Sequence, residues 1–263
     1  MPYLTMTGAS IYYEMSGARE GPWVTLSHSL GGDHTLWEAF AERLGASHRV
    51  LRYDTRGHGR SVRASGGGAT TLDLLAADVA ALWDALGIER SHFVGLSLGG
   101  IAGLTLALKH ADRLDRLVLC DCRADAGPEF QQLWELRGRK VREGGMAAVV
   151  EDTLGLWFKP PFRQAHPDLM HTMRRMICET SVEGYLECAQ AVQSLRYGEK
   201  LGKIACAPLL VVGADDGPHP ALMRAMADRI PNARYEEIAD AAHMPNIEQS
   251  DAFHDLVANF LSQ

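Results

Sequence analysis

Ser97 is the residue around which the chain can be read, because it stands at the centre of Gly95-Leu96-Ser97-Leu98-Gly99. The run Ser91-His92-Phe93-Val94 before it is strand-like, and Leu98 to His110 after it is helix-like. A serine on a sharp strand-to-helix turn holds its hydroxyl up at the sheet edge. Small residues are needed two places to either side, since a Cβ there would collide with the turn. Taken alone, the pentapeptide leaves open the lesser alternative of a glycine-rich turn before an ordinary helix. A serine hydroxyl is a poor nucleophile near neutral pH, so Ser97 needs a base in hydrogen-bond reach, and that base needs an orienting acid. His243, in Ala241-Ala242-His243-Met244-Pro245-Asn246, is the candidate base. Asp216, three residues past Gly213, is the candidate acid, with Asp215 competing for the role. The order Ser97, Asp216, His243 is the one expected of a nucleophile elbow in a parallel sheet, where ligands collect at the carboxyl ends of the strands.

The elements that must position these side chains follow from periodicity. Tyr3 to Met6 and Ala9 to Met15 read as an antiparallel opening hairpin, followed by a strand at Trp23 to Ser27 and a helical segment from about Asp33 to Leu44. Arg49 to Asp54 is a further strand, and Gly66-Gly67-Gly68 reads as a flexible surface loop rather than a phosphate cradle, since no Lys-Ser/Thr follows it. Leu72, Leu75, Val79, Leu82 and Leu86 then share one helical face that Gly87 should cap. Strand Ser91 to Leu96, the elbow, a helix to His110 and strand Leu117 to Asp121 complete an alternation that argues a mostly parallel sheet with helices on both faces. From about Arg123 to Lys203 the alternation stops. Leu133/Leu136, Met146/Val149/Val150, Leu169/Met173/Met176/Ile177 and Tyr185/Leu186/Ala189/Val192 mark four helices of an insertion. Strands return at Pro208 to Gly213 and Arg234 to Ile238, around a helix bearing Leu222, Met223, Met226 and Ile230, before a last helix with Phe253, Leu256, Val257 and Phe260 inward. Residues 1–122 and 204–263 thus form an α/β core, with 123–203 as a helical cap.

Composition narrows the partners. The net charge of -7, from 33 acidic against 26 basic residues without a basic cluster, argues against nucleic acid. No apolar stretch is long enough to cross a bilayer, and MPYLTMTGAS lacks the charged and apolar regions of a signal peptide, so no membrane partner and a cytoplasmic location are expected. The 5 cysteines, Cys120, Cys122, Cys178, Cys188 and Cys206, have no zinc-ligand spacing and read as buried free thiols. The 11 histidines include no H-E-x-x-H and no tight ligand pair on a predicted helix, so no metal and no cofactor are expected.

The chain resembles the α/β-hydrolases with a helical cap over nearly its whole length. The resemblance rests on His28-Ser29-Leu30-Gly31-Gly32, on Asp54-Thr55-Arg56-Gly57-His58-Gly59-Arg60-Ser61, on Gly95-Leu96-Ser97-Leu98-Gly99-Gly100, on Gly213-Ala214-Asp215-Asp216 with Pro220, and on His243. Within that family, Ser27 to Asp33 ahead of Trp37, Leu51 to Gly59 and the pair Trp157-Phe158 look most like 3-oxoadipate enol-lactonases, which open the enol-lactone of the β-ketoadipate pathway of aromatic catabolism. Ser29 stands where most α/β-hydrolases have Gly, a feature the enol-lactonases share. Leu98 departs from the Met they often carry after the nucleophile.

The resemblance implies an α/β-hydrolase fold, a cofactor-free serine hydrolase and an oxyanion hole made by the backbone N–H groups of Leu30 and Leu98. The family spacing from Gly213 and to Pro220 favours Asp216 over Asp215 as the acid. Asp54 and His58 more simply hold their loop through turn hydrogen bonds, His28 is a structural partner near the hole, and Arg56 is expected to pair with a loop carboxylate. In the cap, Trp134, Arg137 and Trp157 are candidates to face substrate. Arg137 could grip a carboxylate bidentately, against the plainer fate of lying on a solvated helix face. Met170, Met173 and Met176 read as core filler. The expected partner is a small lactone or ester, with an anionic one in view, and an oligomer is compatible with this. A general carboxylesterase and a non-catalytic small-molecule receptor on the same scaffold are the rivals, while a dehalogenase would need Asp in place of Ser97.

Overall fold

The strands that flank the elbow pair side by side in parallel, and this fixes the architecture. In the computed structural model, which describes residues 2–64 and 68–263, nine strands form one sheet. They are β1 (Tyr3–Met6), β2 (Ala9–Gly17), β3 (Trp23–Ser27), β4 (Arg49–Tyr53), β5 (Val62–Arg63), β6 (Ser91–Leu96), β7 (Leu114–Cys120), β8 (Leu209–Gly213) and β9 (Arg234–Ile238). The order across the sheet is β1-β2-β4-β3-β6-β7-β8-β9, with β5 paired to β2. Pairing is antiparallel among β1, β2, β4 and β5 and parallel from β4 through β9. Every residue of β6 is buried, as a strand covered on both faces requires. The fold is thus an α/β-hydrolase fold, a mostly parallel sheet flanked by helices.

The crossovers are α1 (Glu38–Leu44), α2 (Leu72–Ala85) and α3 (Leu98–Lys109). Leu72, Leu75, Val79 and Leu82 of α2 are buried, Trp83 Nε1 donates to Thr25 Oγ1 at 2.8 Å to tie the helix to β3, and Gly87 follows at φ 66. Between β7 and β8 lie α4 (Pro128–Gly144), α5 (Val150–Trp157), α6 (Pro160–Ala165), α7 (Pro167–Glu179) and α8 (Val182–Gln193). The two chain segments entering and leaving this insertion are pinned together by Ala126 N–H donating to Leu195 O at 3.0 Å and Tyr197 N–H to Ala124 O at 2.8 Å. After β8 come α9 (His219–Ala227), β9, the short α10 (Pro245–Glu248) and α11 (Ser250–Leu261).

Several expectations need correction. The segment read as one helix from Asp33 opens as a 3-10 turn, His34–Trp37, capped by the Asp33 carboxylate on Thr35 N–H, before α1 begins. The insertion holds five α-helices among the described residues rather than four. The extra one, α6, is six residues long and starts on Pro160-Pro161, which fix φ at its first turn but leave no apolar stripe to detect. On α4 the inward residues are Arg137, Gly138 and Val141, whereas Leu133 and Leu136, which mark the helix in the sequence, are exposed. Ile230 lies past the end of α9. All five cysteines are free, but Cys178 is exposed and Cys206 only half-buried, because each falls on the outer side of its segment. Gly66 and Gly67 of the triglycine loop lie outside the described residues. None of the described helices is long and apolar enough to cross a membrane.

Candidate active site

At the end of β6 the chain turns through Ser97 at φ 57 and ψ -110, a left-handed conformation that costs a non-glycine residue on the order of 1–3 kcal/mol. Two neighbours make it possible. A Cβ on Gly95 would run into the Gly99 carbonyl, and one on Gly99 into the Ser27 carbonyl, so the turn closes only with hydrogen at both places. Ser97 N–H donates to Cys120 O at 2.8 Å, which anchors the strained residue to β7. The hydroxyl makes no hydrogen bond among the described residues, nor do the backbone N–H groups of Leu30 and Leu98. Leu98 opens α3, where the unpaired amides and the helix dipole favour negative charge.

Asp216 sits three residues past the end of β8, buried, with its N–H donating to Gly213 O at 3.1 Å. His243 Nδ1–H donates to Asp216 Oδ2 at 2.8 Å, an arrangement in which the neutral ring presents Nε2 as its acceptor. Burial by itself lifts the Asp216 carboxyl, but the His243 and His219 imidazoles outweigh it and hold the group well below the usual carboxylate range. Asp215 points elsewhere: it is exposed and ion-paired to Lys159, which also reaches Asp240 at 3.2 Å. The loop bearing His243 is held by Glu248, whose buried carboxylate accepts from Ala242 N–H at 2.5 Å and from Lys159 N–H at 2.8 Å.

The Asp54 to Ser61 loop is a scaffold. Asp54 accepts from His34 N–H at 2.8 Å and Arg60 N–H at 2.8 Å, and Ser61 Oγ–H returns to Asp54 O at 2.6 Å. His28 is spent on both nitrogens, Nδ1–H donating to Ser29 O at 2.8 Å and Nε2 accepting from Thr55 N–H at 2.9 Å. His58 is fully buried, and burial with the His28 ring beside it pushes its pKa down to about 3. Arg56 does not meet a loop carboxylate. It makes a two-pronged pair with Asp78 of α2, Nε to Oδ2 at 2.7 Å and Nη2 to Oδ1 at 2.5 Å, because the loop folds back over that helix.

A cavity of about 520 Å³ lies between the strand ends and the cap, within the range of small-molecule sites. Ser97, Asp216 and His243 line it together with Leu30 and Leu98, and so do all three cap candidates, Trp134, Arg137 and Trp157. Trp157 is buried, and Trp134 is half-buried with no partner for Nε1 among the described residues. Arg137 is only 6% exposed, not on a solvated face. Its Nη2 donates to Thr153 Oγ1 at 2.6 Å and its Nε to Tyr185 Oη at 3.3 Å, and no carboxylate lies within ion-pair distance among the described residues. Met170, Met173 and Met176 are buried on α7.

Three cavity residues escape sequence reasoning. Asp121, at φ 44 just past β7, is wholly buried. Its Oδ1 accepts from Gly213 N–H at 2.9 Å, while Oδ2 meets no hydrogen-bond geometry among the described residues, with the Asp216 carboxylate nearby. Burial and then the Asp216 charge push its pKa well above the usual range, favouring the neutral acid. Arg123 stacks over Phe130, its guanidinium carbon 3.9 Å from the ring centroid. His219, the first residue of α9, brings Nδ1 to 3.1 Å from Asp216 Oδ2. The one available signal was strand-end position, which Asp121 and Asp216 share.

A profile of the alpha/beta hydrolase fold matches residues 22–250, and the chain belongs to this family of hydrolases. Within it, the chain is similar to 3-oxoadipate enol-lactonase 1 of Acinetobacter baylyi, 30% identical over 97% of this chain and 94% of that one. It superposes on the crystal structure of the enol-lactonase from Burkholderia xenovorans LB400 with TM-score 0.93 and 38% identity, covering 100% of both chains. A protein from Caulobacter sp. (strain K31), provisionally named carbamate hydrolase RutD, is 31% identical over 96% of this chain and 96% of its own.

Proposed function

We propose that the protein is a serine hydrolase that opens a lactone or carboxylic ester bearing a free carboxylate, with 3-oxoadipate enol-lactone as the favoured substrate. One observation carries the reading. An imidazole oriented by a buried carboxylate, Nδ1 to Oδ2 at 2.8 Å, shares a cavity with a serine held at φ 57. His243 Nε2 takes the Ser97 proton as the oxygen attacks the carbonyl carbon, and the N–H groups of Leu30 and Leu98 receive the oxyanion. Collapse expels the enolate or alkoxide, which takes its proton from the imidazolium. Water, deprotonated by the same nitrogen, then cleaves the acyl-serine and regenerates the hydroxyl. Each oxyanion donor lowers the barrier by about 3 kcal/mol in comparable sites.

Arg137 supports the anionic substrate. A guanidinium 6% exposed on the cavity wall, held by Thr153, Tyr185 and the Trp134 ring but with no carboxylate at ion-pair distance among the described residues, has donors left for a ligand, and its fork suits a carboxylate. The enol-lactonase resemblance of both the sequence and the fold points the same way. A broader carboxylesterase is the second reading, favoured by the cavity itself, whose 520 Å³ leaves room beyond a single small ring. The test is a panel of enol-lactones, saturated lactones and neutral esters assayed without added metal. The highest kcat/KM is expected on an enol-lactone carrying a carboxylate, and a preference for neutral esters would give the second reading the case.

A further inference from the structure

Asp216 faces two imidazoles, not one. His219 Nδ1 stands 3.1 Å from the same Oδ2 that accepts from His243 Nδ1 at 2.8 Å, and the three ligand atoms all lie within 4.8 Å of one another. Pro218 and Pro220 flank His219 and restrict the backbone that presents it, while the side chains of His219 and His243 stay 18% and 12% exposed and both line the cavity. Donors about 2.0–2.1 Å from a small cation stand about 2.9–3.4 Å from each other, so the two Asp216 edges are close to that spacing already. The remaining edge, between the two ring nitrogens, is within 4.8 Å, and a bound cation would have to draw it in. The set of two imidazoles and one carboxylate suits Zn²⁺, Ni²⁺ or Cu²⁺ rather than Mg²⁺ or Ca²⁺, which prefer all-oxygen shells.

We infer that Asp216, His219 and His243 form a binding site for a soft divalent cation, and that filling it stops hydrolysis. The binding half stands on geometry; the inhibitory half rests on His243 being the base of the proposed reaction. A cation on His243 Nδ1 holds the neutral ring in its other tautomer, the single N–H proton moving by way of solvent from Nδ1 to Nε2. The ring then presents a donor to Ser97 where the reaction needs an acceptor. The same cation takes Asp216 away from its orienting role. Hydrolysis and cation binding are therefore mutually exclusive uses of one pair of side chains, and His219 is the residue that serves only the second.

The test measures zinc binding by calorimetry and ester turnover in parallel, on the wild type and on Ser97→Ala, His219→Ala and His219→Gln. One zinc per chain is expected, bound equally by Ser97→Ala and at least about tenfold more weakly by either His219 variant. Half-inhibition, read against each variant's own zinc-free rate, should shift by the same factor. EDTA should reverse it, and magnesium should leave turnover untouched. Equal zinc affinity in wild type and both His219 variants would overturn the site, as would an absence of zinc binding in a chain whose Ser97→Ala form is inactive. A zinc-loaded wild type that hydrolyses at full rate would overturn the inhibitory half. Turnover surviving in Ser97→Ala would instead strike the serine reading while leaving the binding data to stand.

Discussion

The loops at the strand ends and the wall of the cap face one cavity but are held in different ways. At the strand ends the backbone itself is constrained: Ser97 is trapped at φ 57 between Gly95 and Gly99, and the His243 loop is pinned by Glu248 on Ala242 N–H. On the cap side, position depends on side chains resting against one another. Trp134 Nε1 has no hydrogen-bond partner among the described residues, Leu133 and Leu156 are 47% and 55% exposed, and Arg137 is steadied by one short and one long hydrogen bond. On the proposed function, the chemistry would sit on the constrained backbone of the strand ends, and the choice of substrate on helices whose residues can change without disturbing the sheet.

Substitutions on the two sides should therefore differ in kind. Ser97→Ala should lower kcat on the order of 10⁶-fold with the fold intact, and steady-state turnover above about a thousandth of wild type would contradict its role. Asp216→Asn should cost about 10⁴-fold in kcat, because the amide no longer fixes the His243 tautomer. Asp215→Asn next to it should stay within about threefold, since its exposed pair with Lys159 is worth little. Reversed kinetics would exchange the two. Across the cavity, Arg137→Ala should raise KM about 10- to 100-fold for an anionic lactone and leave kcat nearly unchanged, while a neutral ester responds within about twofold. Equal effects on both substrates would make Arg137 a packing residue of the cap.

The smallest effect separates core from cap by pH. Burial pushes His58 down to about 3 and His92 to about 4, and lowers His28, His48 and His254 as well. Between about pH 6.5 and 4 the unfolded chain takes protons on His58 and His92 while the folded chain does not, and the other three act in the same direction. Stability should then fall as pH drops from about 6.5 toward 4, by about 1.4 kcal/mol per pH unit for each group at most. All five belong to the α/β core. Urea midpoints should fall between about pH 7 and 5, and His58→Gln should flatten the slope. A flat profile in the wild type would remove the buried core imidazoles as its source.

What could be read in the sequence follows the same division. The elbow was legible because its glycine–serine–glycine pattern lies in five consecutive residues, and the parallel sheet because strand and helix periods alternate around it. The cap was legible as helical but not in detail. Leu133 and Leu136 advertise a face of α4 that is in fact exposed, and α6 is too short and proline-rich to show a period. Arg56 meets Asp78 of α2 rather than a carboxylate of its own loop, a partner 22 residues on that only tertiary folding brings to it. Asp121 and His219 were invisible for the same reason: their meaning lies in standing beside Asp216, which neither spacing nor composition records.

The central claim, a serine activated by the imidazole at 243, is tested most directly by mass spectrometry after brief exposure to a fluorophosphonate ester. A single stoichiometric adduct on Ser97 is expected in the wild type, forming orders of magnitude more slowly in His243→Ala. An adduct on another residue, or labelling of Ser97 at the same rate without His243, would contradict it.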